Sequence, residues 1–141
     1  MAQAQTGADA ARAAFERDYC HGLKQLLREA PDFVGVHDAH PNPPWLGFRP
    51  GACRAFAGTE TYPAAWDCHQ HLAPAHLSLQ TLAAATAACL PEAEQSRGRW
   101  GRDSTFTLPG ARILISESGG PGAKVGRIVG LRVEAVNAPP G

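Results

Sequence analysis

Between residues 8 and 30 the apolar side chains of Phe15, Tyr19, Leu23, Leu26, Leu27 and Ala30 return every three or four positions. That spacing puts them on one face of an amphipathic helix. Arg12, Glu16, Lys24, Arg28 and Glu29 fall mostly elsewhere on the wheel, Asp9 is the expected N-cap, and Pro31 marks the end. From Phe33 to Leu72 the pattern changes to short runs rich in Phe, Val and Trp, "FVGVHD", "WLGFR", "ACRAFAG" and "YPAAWDCHQHL", separated by Pro, Gly and Asn. These predict three strands, the first split by the loop "AHPNPP". Pro50-Gly51 suits the centre of a type II turn, where proline sets the first φ and glycine supplies the positive second one.

Helical spacing returns from Pro74 to Leu90, with Leu79, Leu82, Ala83, Thr86 and Leu90 on one face and Pro91 as the stop. A polar linker, "EAEQSRGR", then leads to "STFTLP", "ARILISES" and "GRIVGLRVEAV". Ile113 and Ile115 alternate with polar neighbours, as do Val129, Leu131 and Val133, which predicts half-buried strands with one face on a core.

The phrase "PGACRAF" at residue 50 is echoed by "PGARILI" at residue 109, and nearly the same interval separates each Pro-Gly from the helix before it. Element order and spacing together predict a tandem αβββ repeat. The expected fold is α+β: a six-stranded, mostly antiparallel sheet with two helices packed on one face. One domain spans 1–141, with a flexible N-terminus at 1–7, a first half at 8–72, a second half at 73–136 and a disordered tail at 137–141.

Composition narrows the function. Thirteen basic and thirteen acidic residues cancel, which argues against a nucleic-acid binder with its basic stripe and against an anionic membrane surface. Neutrality also makes self-association plausible, including a homodimer through a sheet edge. No apolar run approaches the roughly 18 residues of a membrane helix, so membrane insertion is not expected. The opening "MAQAQTG" contains Ala2-Gln3-Ala4, the small-x-small shape at the end of an export signal. Export is therefore expected, to the periplasm or the exterior; an ordinary disordered Ala/Gln terminus is the alternative.

Four cysteines bear on the same question. Cys53 and Cys68 are centred on the turn-like "GTETYP". A symmetric hairpin there would bring them face to face, and a non-hydrogen-bonded pair is close enough to bridge. Cys20 and Cys89 flank the buried stripes of the two helices and would form a second bridge if those helices are neighbours. Four cysteines allow three pairings, and reduced, buried thiols in a cytosolic protein are the alternative.

Candidate chemistry is thin. All six histidines lie between His21 and His76. On a strand His69 and His71 share a face and would chelate a metal with His37 or His40, but the spacing matches no recognised ligand set, and exposed histidines are commoner. "SESGGPGAKVG" lacks the hydroxyl residue after lysine and the following helix of a phosphate loop, so it reads as a hairpin loop whose Lys124 is available to a partner. Ser104, Asp103 and a histidine assemble into a triad only on paper, without a nucleophile elbow. Glu92 and Glu94 read as solvated charge. In "HPNPPWLGF", Trp45 and Phe48 are candidate partner anchors, with packing over the core as the plainer role; Trp66 and Trp100 are undecided.

The reading is a small exported, disulfide-stabilised module that binds another protein, as an adaptor, an inhibitor or immunity-type protein, or a secretion chaperone. No cofactor and no enzymatic activity are expected. The alternatives are a metal- or small-molecule-binding protein using the histidines, and a small hydrolase or isomerase with a pocket between the repeats.

Overall fold

The structure, a computed structural model, describes residues 7–30, 33, 45–120 and 122–136. Helix α1 (Gly7–Arg28) buries Tyr19, Gly22, Leu23 and Leu26 on the predicted face. It starts at Gly7, so Asp9 lies in its first turn rather than at the cap. Helix α2 (Leu79–Cys89) is shorter than its pattern implied, because Ser78 caps it by accepting a hydrogen bond from the Thr81 N–H at 3.1 Å. The preceding Pro74–Leu77 closes a separate turn.

The strands are β1 (Cys53–Phe56), β2 (Ala65–Gln70), β3 (Glu94–Arg97), β4 (Asp103–Leu108), β5 (Ala111–Gly119) and β6 (Arg127–Ala135). They form one sheet in the order β1-β2-β6-β5-β4-β3, with every pairing antiparallel. The fold is α+β with a six-stranded antiparallel sheet, as the pattern predicts. The strands divide differently from the expectation. Residues 45–49, "WLGFR", form a turn closed by Phe48 N–H to Trp45 C=O, with Leu46 and Gly47 at positive φ. The expected polar linker contains β3, an edge strand exposed along its whole length. The rest of the expected opening strand and its loop falls on 34–44, outside the described residues; two described strands precede α2 and four follow it.

One face of the sheet carries Trp66, Cys68, Phe106, Ile113, Ile115, Val129, Leu131 and Val133 into a single core with Tyr19, Leu23, Leu26, Leu82 and Ala85 from the helices. Period-2 alternation sends their neighbours to the opposite face, which no described element covers. That face is charged: Arg132 bridges Asp67 and Glu134, Glu134 also takes Arg112, and the Arg54 and Arg132 guanidinium groups lie 5.6 Å from the Phe56 ring centroid. Charged and ion-paired side chains of this kind suit a sheet face in contact with water.

Two disulfides brace the fold, one within each layer: Cys20–Cys89 between the helices and Cys53–Cys68 across β1 and β2. Cys53 and Cys68 are directly opposed, 4.0 Å apart at Cα. The adjacent Ala52–His69 pair takes the ladder hydrogen bond, so the cysteines occupy the closer, non-hydrogen-bonded position. Beside the other bridge, the buried Tyr19 hydroxyl lies 2.6 Å from Thr86 Oγ1. Tyr19 meets Thr86, Cys20 meets Cys89, and Phe15 lines a groove with Thr81, so the two helices run in the same direction.

Candidate functional site

Strand register decides which loops meet. Arg97 pairs Ser104, Gly119 pairs Arg127, and Gln70 pairs Val129. The β3–β4 loop (98–102), the β5–β6 loop (120–126) and the β2–α2 connection (71–78) therefore gather at one end of the sheet. Here the backbone is cross-tied: Leu72 N–H donates to Val125 C=O at 2.9 Å, and Glu117 N–H to Arg102 C=O at 3.0 Å. A polar latch fastens this end to α2. Arg127 donates to the carbonyls of Ala73, Pro74 and Leu77 and pairs with Glu117, whose carboxylate accepts from Leu79 N–H at the start of α2. The loops are thus held by a rigid end, which is what a binding surface needs.

This end also carries the most exposed apolar side chains. Trp100 is 80% exposed at the tip of "RGRWGR", and Leu72 is 69% exposed next to the exposed Val125. The Arg99 guanidinium sits 5.7 Å from the Trp100 ring centroid. Arg97, Arg102 and Lys124 share the end and are exposed, as is the acidic Asp103. Beside the tip, a groove of about 450 Å³ runs between α2 and the β3–β4 pair, lined by Ala83, Ala84, Ala87, Arg97, Gly101 and Asp103 among others. Exposed Trp with Arg around it has the composition of interface hot spots.

The opposite end is built from 57–64, 90–93 and 109–110, since Phe56 pairs Ala65, Glu94 pairs Thr107 and Ala111 pairs Ala135. It presents Glu60, Glu92 and Glu94, all exposed. It also holds a cleft of about 490 Å³ lined by Gly58–Ala64, Arg112, Ala135 and Val136, with Tyr62 67% exposed at its rim.

The sequence-derived candidates distribute as follows. Lys124 is exposed at the loop-rich end, Trp45 is half-buried, and Phe48 is 3% exposed and packs in the core, where no partner reaches it. Trp66 is a core residue. His69 points onto the charged face, its Nδ1 2.7 Å from Asp67 Oδ1, and His71 is exposed just beyond β2. His37 and His40 lie outside the described residues; among the described residues no group of three His, Cys, Asp or Glu side chains gathers as a metal site.

A triad-like grouping does occur, though not with Ser104, which is buried. Asp67, His69 and Ser116 border a hollow of about 320 Å³ over Gly130. A Cβ placed on Gly130 would lie 2.7 Å from His69 Nε2 and 3.0 Å from Ser116 Oγ, so the two atoms converge on the space that the glycine leaves. The strand N–H groups around it belong to the sheet ladders, leaving no pair of donors for a developing oxyanion. Sequence pattern leaves Trp100 undecided between a partner anchor and core packing, because it follows a polar linker with no apolar period; the signal for exposure is in "RGRWGR", a tryptophan among arginines between two glycines. Compared with known proteins, the chain matches no family model, no curated protein and no solved structure.

Proposed function

We propose that this protein is an exported, disulfide-stabilised module that binds another protein through the loop-rich end of its sheet. The observation that carries the reading is Trp100, 80% exposed at a hairpin tip among arginines, with Leu72 and Val125 exposed at the same end. Isolated exposed apolar residues are ordinary, but a large aromatic, two aliphatic side chains and several cations on latched loops fit a desolvated protein contact. The charged sheet face, with its ion pairs, is a poorer binding surface. Export is supported by the pairing of all four cysteines, since such bridges persist in oxidising compartments. No described helix is long and apolar enough to cross a membrane. An adaptor, an inhibitor or immunity-type protein and a secretion chaperone all work through such a contact.

Site-specific photocrosslinking tests this. A photoreactive residue at position 100 is expected to give a discrete adduct with another polypeptide in the producing cell, and one at Thr105, at mid-strand on the charged face, is expected to give none. Equal labelling from both positions, or none from position 100, would reject the assignment.

A further inference from the structure

We infer that the two ends of the sheet fit one another, so that the Trp100 end of one copy docks on the Tyr62 cleft of the next. The inference rests on the protein-binding reading above and names a second copy of this chain as the partner. Three observations carry it. First, the loops at the two ends differ in charge although the chain is neutral: Arg97, Arg99, Arg102 and Lys124 outnumber Asp103 at one end, and Glu60, Glu92 and Glu94 outnumber Arg112 at the other. Neutral copies have no overall repulsion, and opposed ends attract. Second, the acidic end holds a cleft of about 490 Å³ whose lining includes Tyr62, Pro63, Ala64 and Val136. Such a cleft accepts an indole, and an aromatic pair of this kind adds to simple area burial. Third, the donor tip is already raised, with Trp100 exposed and Arg99 beside its ring.

The two surfaces differ and lie at opposite ends of the same strands. The contact is therefore heterologous, propagating into a chain or ring rather than closing as a two-fold dimer. This differs from pairing through β1 or β3, the outer strands among the described residues, which would join copies side by side.

Light scattering or sedimentation equilibrium on the oxidised protein tests the inference with no other ligand. Wild-type mass is expected to rise above 14.9 kDa with concentration and to fall back in about 1 M salt, where the Debye length is about 3 Å. Trp100→Asp removes the donor and Glu60→Lys damages the acceptor; both positions are exposed, and circular dichroism checks that each variant is folded. Each alone is expected to be monomeric, whereas an equimolar mixture regains one intact contact and stops at two chains. A wild type that stays at one chain mass at millimolar concentration overturns the inference. So does a mixture that stays monomeric, or a Trp100→Asp variant that still dimerises, as edge pairing would allow. A monomeric wild type that nonetheless crosslinks a different polypeptide from position 100 would leave the protein-binding reading standing and remove only the self-docking.

Discussion

The guanidinium group of Arg127 reaches Ala73, Pro74 and Leu77 carbonyls together with Glu117, so one side chain fastens the β5–β6 hairpin to the approach of α2. A hydrogen bond from a charged donor contributes about 1.5–3 kcal/mol. Arg127→Ala is expected to lower stability by about 3 kcal/mol in urea unfolding, and Arg127→Lys to recover only part, because an ammonium lacks the planar fork. Glycines of the β5–β6 hairpin differ sharply in their tolerance. Gly119 has φ +74°, and an added Cβ would run into the Gly126 carbonyl, whereas the Cβ of an alanine at 130 would meet only the movable ends of His69 and Ser116. Gly119→Ala is therefore expected to destabilise by about 3 kcal/mol and Gly130→Ala by less than about 1 kcal/mol. Burial raises the pKa of Tyr19 well above its ordinary value, and its hydrogen bond to Thr86 offsets this only in part. Because the folded-state value is the higher one, this contribution is complete at neutral pH. It is lost as pH climbs past about 10, where the unfolded tyrosine ionises, at up to about 1.4 kcal/mol per pH unit. Tyr19→Phe should lack that alkaline slope; an unchanged slope in the variant would assign it to another group.

Elements were legible where burial writes a period. α1 could be read because Tyr19, Leu23 and Leu26 repeat at helical spacing, and β5 and β6 because Ile113, Ile115, Val129, Leu131 and Val133 alternate. β3 was not, because an edge strand exposed on both faces carries no apolar alternation. "WLGFR" failed in the other direction: Leu46 and Phe48 are buried from a turn, so their spacing reflects core filling rather than a strand. The two Pro-Gly-Ala phrases also enter their strands in opposite phase. Ala111 faces the core with Ile113, whereas the core-facing position after Pro50-Gly51 is Cys53, opposite Cys68. At the site, Lys124 was legible as a loop residue, whereas Trp100 required knowing that its segment turns back as a hairpin. The bridges differ in what they constrain. Cys20–Cys89 closes a separation of 69 residues and Cys53–Cys68 one of 15, for which chain entropy gives roughly 4 and 3 kcal/mol. Replacing the helix pair by alanines is expected to cost more stability than replacing the strand pair. The reverse order would show that the entropy of the unfolded chain does not govern here.

On the scale of the whole molecule, the sheet does two jobs through its two directions. Across the strands, antiparallel ladders and the two bridges hold a core from which Phe48 and Trp66 cannot leave. Along the strands, the same register sorts loops, placing Trp100, Leu72, Val125 and Lys124 at one end and Glu60, Tyr62, Glu92 and Glu94 at the other. The functional proposal depends on that scaffold being oxidised where the protein works, since the export reading and the firmness of the helix pair both follow from it. The direct measurement is mass mapping of protein taken from its producing cells, with thiols blocked at lysis before any denaturation. The account predicts no blocked cysteine and two linked peptides, Cys20 with Cys89 and Cys53 with Cys68; four blocked cysteines would contradict it.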